Sequence, residues 1–179
     1  LIYKATETVT FAQGDLMMLG AFGGFIAMSA MGLPFWAAAI ATVFVMTLIG
    51  IGLERVVIRP ILGQPAFSII MLTIGVAYVV RGAITMIPVI GTETHPLDAP
   101  YAGKVIEIAG LVLAAEQVVV ILVTAALSGA LTLLFRYSKL GIAMQASAQN
   151  QLAAYYMGIP VRRINGLIWG LAAAVATVA

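Results

Sequence analysis

The sequence predicts an all-α integral membrane protein, a polytopic helical bundle with one domain over residues 1–179. Hydrophobic residues make up 63% of the chain and charged residues only 9%, against roughly 25% charged residues in soluble domains. No charged residue occurs over 16–53, 60–80 or 117–135, and each run reaches the roughly 18–20 residues that a helix needs to cross a hydrocarbon core. A soluble helical core would need charged outer faces, which these runs lack.

Two apolar helices are predicted before the first polar segment, over 15–31 and 34–53. Asp15 suits the positive end of the first helix dipole, and Pro34 suits the start of the second helix. The segment 54–65 carries two arginines and two prolines, and is therefore predicted to be a loop. Helix packing is predicted at two small-xxx-small pairs of glycines, Gly20 with Gly24 and Gly166 with Gly170.

Three further spans are predicted over 68–90, 117–135 and 164–179, the last about four residues short of a comfortable crossing. The polar loop 91–116 holds four of the seven acidic residues of the chain. Within this loop, a small hairpin is predicted between two short segments, Val105–Ile108 and Leu111–Leu113. Because the chain lacks an initiator Met and its last span is short, it is interpreted as an internal part of a longer protein.

The distribution of basic residues predicts the orientation. The segment 136–163, called the elbow below, has four Lys/Arg and no acid, and 54–65 has two Arg and one Glu. The loop 91–116 has one Lys and four acids. The positive-inside rule places the first two in the cytoplasm and the third outside, as a small extracytoplasmic loop. By parity, the first helix runs outward, which leaves residues 4–14 either at the cytoplasmic side or in a re-entrant turn.

The elbow is too polar for a membrane span, yet its pattern is helical. Asn150 is expected to cap a second short helix over 151–157, and Gly158 followed by Pro160 is a typical helix stop. A spacing of four predicts one apolar face, formed by Leu140, Met144, Ala148, Leu152 and Tyr156. The pattern predicts a helical elbow that lies against a membrane face and meets a partner.

Enzymatic chemistry is not expected, and neither are catalytic residues, a metal site or a cofactor. The chain has no phosphate-binding GxxxxGK[ST] loop and no cysteine, and a lone His95 does not make a metal site. Apart from Asp15 at a helix start, the spans hold no His, Cys or acid with which to catalyse a reaction. The net charge of +2 is explained by basic residues flanking the spans and does not indicate nucleic-acid binding.

Two features near the spans have open interpretations. Arg81 lies inside an apolar run, where a charge at mid-bilayer costs on the order of 2.5–3.5 kcal/mol. It either snorkels outward or faces a water-filled path and meets a substrate carboxylate. The stretch 11–15, with Gln13 and Gly14, is either a capped helix start or irregular backbone beside a transport path, which membranes tolerate only against protein or water.

Four stretches together resemble the membrane permeases of bacterial high-affinity branched-chain amino-acid ABC transporters. They are LIYKATETVTFAQGDLMMLGAF, ERVVIRPILGQP, TIGVAYVVRG and FRYSKLGIAMQASAQNQLAAYYMGIPVRRI. Their order and spacing match over essentially the whole chain, and the likeness is to the first of the two permease paralogues. Permeases for urea and short amides are close relatives with similar motifs.

The resemblance implies an importer of leucine, isoleucine and valine in the bacterial inner membrane. Such an importer joins two permeases, two cytoplasmic ATPases and a periplasmic binding protein. Leu152-Ala153-Ala154 with Gly158 looks like the general EAA-xxx-Gly coupling motif of ABC permeases, with Leu152 in place of Glu. Docking is therefore expected to depend on an apolar helix fitting a groove. The candidate coupling residues are Leu152, Ala153, Ala154, Tyr155 and Gly158, and the candidate pathway residues are Gln13, Gly14 and Arg81.

Two other classes of membrane protein are alternatives to an ABC importer, and each would have different properties. An ion-coupled secondary transporter or channel usually shows intramembrane acids or rings of polar groups, and it would leave the elbow without a partner. A non-transporting membrane scaffold would tolerate bulky residues at Ala153 and Ala154 without loss of uptake.

Overall fold

The computed structural model describes residues 12–61, 64–87, 99–108 and 111–179. Seven α-helices and one β-hairpin lie in these ranges, so the predicted all-α membrane fold is confirmed. The elements are α1 (Gln13–Ser29), α2 (Phe35–Leu53), α3 (Ala66–Thr85), β1 (Val105–Ile108), β2 (Leu111–Ala114), α4 (Ala115–Tyr137), α5 (Lys139–Gln149), α6 (Gln151–Tyr156) and α7 (Val161–Val178).

Among the described residues, three helical stretches are long and apolar enough to cross a membrane. They are Phe35–Ile61, Phe67–Thr85 and Ala115–Tyr137. The other two predicted spans correspond to α1, with 17 residues, and α7, with 18 residues. At 1.5 Å per residue these two helices are about 26 and 27 Å long, close to the roughly 30 Å of a hydrocarbon core.

The predicted loop over 54–65 is wrong in its first part. The helix of α2 continues into a π-helical turn over Glu54–Ile58 and then a 3₁₀ turn over Arg59–Ile61. Pro60 is compatible with this because it lies at the start of a new turn, where its missing N–H removes no hydrogen bond. Both arginines therefore lie in helical turns that continue α2 as far as Ile61, and Pro65 directly precedes α3.

Helices α1, α2 and α7 form the core, with α7 running antiparallel to α2. Their approach requires glycine: a Cβ on Gly50 would lie 2.6 Å from the Trp169 carbonyl oxygen, and a Cβ on Gly170 would lie 2.9 Å from Ile51 Cγ1. A Cβ on Gly20 would likewise lie 2.9 Å from Thr177 Cα. Two predicted small-residue positions, Gly20 and Gly170, thus lie at close helix contacts.

Two apolar clusters fill the interior of this core. One joins the end of α2 and the elbow to α7 and consists of Ile58, Met144, Ile164, Ile168, Trp169 and Ala172. The other joins α1, α2 and α7 and consists of Leu16, Met46, Ala173 and Ala176. By contrast, α4 is exposed along most of its length, as expected for a helix that faces lipid or another subunit.

The predicted hairpin precedes α4. Strands β1 and β2 are antiparallel, with Val105 opposite Ala114 and Ile108 opposite Leu111. Residues 91–98 of the predicted extracytoplasmic loop, which include His95, and residues 109–110 of the hairpin turn lie outside the described residues.

Candidate functional site

The elbow contains two helices, each started by a polar side chain. Ser138 Oγ accepts a hydrogen bond from the Gly141 N–H at 2.9 Å and caps α5. Asn150 then adopts an extended conformation with φ −158°, and its Oδ1 accepts from the Ala153 N–H at 2.9 Å. The predicted cap at Asn150 is confirmed, and the same residue separates α5 from α6.

The end of α6 is a Schellman motif built on Gly158, which has φ +83°. The Gly158 N–H donates to the Tyr155 carbonyl at 3.0 Å, and the Ile159 N–H donates to the Ala154 carbonyl at 3.0 Å. This pair of bonds satisfies carbonyls that a helix end would leave unpaired. A Cβ at Gly158 would meet no atom within 4 Å, so the requirement for glycine lies in the backbone conformation.

Between these two caps, α6 presents an apolar surface to the outside. Leu152, Tyr155, Tyr156 and Met157 are 67–83% exposed; these four residues are called the docking surface below. Ala153 is also exposed, whereas Ala154 is buried at 4% exposure. Of the five candidate coupling residues, three therefore face outward, Ala154 packs inward and Gly158 forms the turn.

The predicted apolar face along the elbow is wrong. Leu140 is exposed, and the buried residues of α5 are Gly141, Met144 and Ser147. The break at Asn150 also turns α6 away from the face of α5, so Leu152 and Tyr156 do not extend it. Residues three apart lie on one face of a helix, as do residues four apart. The close fit of Gly141 against α4 determines that the buried face of α5 follows the spacing of three.

Gly141 allows α5 to fold back onto the end of α4. A Cβ there would overlap the Leu134 carbonyl oxygen and lie 2.6 Å from Phe135 Cα. Because both are backbone atoms, Gly141→Ala should shift α5 and lower the free energy of unfolding by about 1–3 kcal/mol. The thermal unfolding midpoint of the assembled transporter in detergent measures this loss.

The control is Gly129→Ala in α4, because a Cβ on Gly129 would meet nothing within 4 Å. Alanine favours helix over glycine by up to about 1 kcal/mol, so this variant should unfold at the wild-type temperature or slightly above it. Equal midpoints for the two variants would contradict the tight turn.

A second site joins the end of α2 to the start of α7. Arg59 contacts Glu54 through two hydrogen bonds, Nη2 to Oε2 at 2.8 Å and Nε to Oε1 at 3.2 Å. Arg59 Nη2 also donates to the Arg162 carbonyl oxygen at 3.1 Å. Glu54 is 1% exposed, and the three groups form what is called the clamp below. Sequence reasoning missed it because these charges were assigned to a loop.

A third site joins α1 to α3 through an ion pair. Arg81 Nε lies 2.6 Å from Asp15 Oδ1, and the Asp15 side chain is 4% exposed whereas that of Arg81 is 63% exposed. Neither interpretation of Arg81 from the sequence included this partner. The sequence did contain a signal for this pair. Asp15 borders one apolar run, Arg81 lies within another, and opposite charges in such positions pair within membranes.

The start of α1 contacts the second half of α7. Gln13 Nε2 donates to the Ala172 carbonyl oxygen at 3.3 Å, and Ala172 follows the basic residue Arg163 by nine residues along α7. Nine residues of helix span about 14 Å, roughly half of a 30 Å hydrocarbon core. If Arg163 marks the cytoplasmic boundary, Gln13 lies near mid-depth. Gln13 and Gly14 are exposed, and residues 1–11, which make up most of the segment with two open placements, lie outside the described ranges.

Comparison with known proteins decides the family. The model of the branched-chain amino acid transport system permease component matches residues 1–179. The chain belongs to this family. The family is described as a permease component of a transport system. Within the described residues, no group of three His, Cys, Asp or Glu could hold a metal ion.

The curated relatives that match this chain are all named as branched-chain amino acid transport system permease proteins. The chain is 27% identical over 189 residues to the high-affinity branched-chain amino acid transport system permease protein BraD of Pseudomonas aeruginosa. It is 26% identical over 191 residues to the permease proteins LivH of Salmonella typhimurium and Escherichia coli. These alignments cover all of this chain but only 61–62% of the relatives. No solved structure gives a significant match.

Proposed function

We propose that the chain is part of the membrane subunit of a bacterial ABC importer for leucine, isoleucine and valine. In this proposal it lies in the inner membrane and shares the pathway with a second permease subunit. Two cytoplasmic ATPases hydrolyse ATP, and a periplasmic binding protein delivers the amino acid. The family match and the names of the relatives support this reading.

The observation that carries the proposal is the docking surface on α6. The helix has six residues and so is about 9 Å long, too short to span a bilayer. Its ends are fixed by Asn150 and Gly158, so the four large apolar side chains are held in place although they contact little of this chain. An exposed apolar helix of this kind fits a groove on a partner protein, here the ATPase.

Movement at the docking surface would reach the membrane helices by two routes. Met144 on α5 belongs to the same buried apolar cluster as Ile168 and Trp169 of α7. The clamp fastens the Arg162 carbonyl, at the end of the elbow, to the end of α2. Because α2 and α7 are themselves tightly packed, a push on the elbow should rotate them as one unit, which is a rigid-body route to alternating access.

An ion-coupled secondary transporter is the second candidate, since Asp15 is an intramembrane acid. The test is uptake by the full-length transporter in proteoliposomes, with its ATPases and binding protein. We expect leucine uptake that requires ATP and survives dissipation of ion gradients. Uptake that follows an ion gradient without ATP would favour the second candidate, and ATP-dependent uptake of urea but not leucine would indicate a urea or short-amide permease.

The docking surface makes a separate prediction. Tyr155→Asp places a charge in the proposed groove contact and should weaken ATPase binding by at least about 2 kcal/mol, or roughly 30-fold. Co-purification of the ATPase with the permease measures this loss. Ile142→Asp is the matched control, because Ile142 is an exposed apolar residue of α5 outside the docking surface. Equal losses for both variants would show that any charge in the elbow is harmful.

A further inference from the structure

We propose that Asp15 and Arg81 form a binding site for the zwitterionic head of the transported amino acid. Arg81 would bind its α-carboxylate, Asp15 would bind its α-ammonium group, and neighbouring apolar residues would contact its side chain. This inference rests on the proposed function, because it assigns the step at which an amino-acid importer contacts its cargo within the membrane.

The position of the pair is the first support. Asp15 lies two residues after Gln13, which contacts Ala172 near mid-depth. A charged side chain at this depth is costly unless it faces a partner or water. Asp15 and Arg81 are partners, and the part of the Arg81 side chain that stays exposed, 63%, must at this depth be covered by water or by another part of the transporter and not by hydrocarbon. The structure therefore points to a water-accessible path beside α1 and α3.

A cavity of about 210 Å³ adjoins the pair. It is lined by Asp15, Ile74, Ala77, Tyr78 and Arg81. Its volume is below the roughly 300–1,000 Å³ of clefts that hold drug-sized ligands, so it suits a ligand of amino-acid size. Two opposite charges next to aliphatic and aromatic side chains match a zwitterion with an apolar side chain.

The hydrogen-bond geometry leaves capacity for a ligand. Arg81 contacts Asp15 through Nε, which uses one of the five N–H donors of a guanidinium. The terminal edge, formed by Nη1 and Nη2, can hold a carboxylate with two parallel hydrogen bonds. The Asp15 carboxylate can accept several hydrogen bonds, so an ammonium group can bind Asp15 without displacing Arg81. An uncharged cargo such as urea could form hydrogen bonds to both groups but would gain neither ion pair.

The alternative is that the pair only fastens α3 to α1. The double variant Asp15→Asn with Arg81→Gln separates the two roles, because it leaves no buried unpaired charge and keeps hydrogen-bonding groups at both positions. In the full transporter we expect complex assembly and ATP hydrolysis stimulated by the binding protein within about twofold of wild type. Leucine uptake should fall at least tenfold. Uptake that falls only in proportion to assembled complex would overturn the inference.

A second measurement leaves the ion pair intact. The chain has no cysteine, so Tyr78→Cys and Val79→Cys each introduce its one thiol. The two positions are equally exposed, 71% and 72%, but Tyr78 lines the cavity and Val79 is not among its lining residues. A charged thiosulfonate reagent should modify Tyr78→Cys, and leucine delivered with ATP should slow that modification several-fold. Val79→Cys should show no protection.

The outcomes separate the inference from the proposed function. If wild type takes up leucine but Tyr78→Cys is unprotected or unreactive, the zwitterion site is wrong and the importer stands. If the wild-type transporter does not take up leucine, the proposed substrate is wrong. The zwitterion site is then decided by the same assay with glycine, alanine and glutamate against urea, where protection by an amino acid alone supports it and protection by urea overturns it.

Discussion

Replacing Gly158 by valine is expected to reduce ATP-driven uptake at least tenfold without preventing membrane insertion. Gly158 has φ +83°, a conformation that costs an L-residue roughly 1–2 kcal/mol and is worse still for a β-branched side chain. The substitution should break the two hydrogen bonds that end α6, and with them the fixed orientation of the docking surface. Uptake and ATPase co-purification should fall together.

Gly158→Asn is the matched control, because asparagine tolerates the left-handed region and occurs at helix ends of this type. No atom lies within 4 Å of a Cβ at this position, so the added volume should do no harm. We expect uptake within about threefold of wild type. An equal loss of uptake in both variants would mean that the partner protein contacts the backbone at Gly158 directly. Full uptake by Gly158→Val would show that the elbow does not couple the ATPase to transport.

The helices could be predicted because a bilayer requires each spanning helix to have a certain length and an apolar composition, and both can be read from one continuous stretch of sequence. The caps at Asn150 and Gly158 could also be predicted, since each depends on bonds between residues only a few positions apart. Prediction failed over 54–65, where arginine and proline suggested a loop. There the charge of Arg59 is neutralised by Glu54, one turn earlier, so a helix can continue through a segment that looks polar.

The candidate sites depend on contacts that no local pattern contains. Arg81 and Asp15 are 66 residues apart in sequence, and Arg59 and the Arg162 carbonyl are 103 apart. Such partners are fixed by how α1, α2, α3 and α7 pack, which follows from tight glycine contacts and not from hydropathy. Arg81 could nevertheless be selected from the sequence as a candidate, because a charged residue within an apolar run is costly in a membrane and therefore indicates a partner or a functional role.

The clamp gives the second large prediction. Arg59→Ala leaves Glu54, which is 1% exposed, without its charged partner, and breaking a buried pair in this way costs about 3–5 kcal/mol. The variant should lower the thermal unfolding midpoint of the transporter, the yield of assembled complex and leucine uptake. The exposed neighbour Arg55 provides the control, since Arg55→Ala removes the same charge type from the same turn without uncovering a buried acid.

A double variant then separates stability from coupling. Glu54→Leu with Arg59→Met replaces the pair by apolar side chains, which often preserves or increases stability. The unfolding midpoint should therefore recover to that of wild type. Uptake per assembled complex should stay low, because methionine cannot donate a hydrogen bond to the Arg162 carbonyl and α2 is no longer fastened to the exit of the elbow. If uptake recovers as well, the clamp only stabilises the fold, and movement passes from α5 to α7 through the packing around Met144.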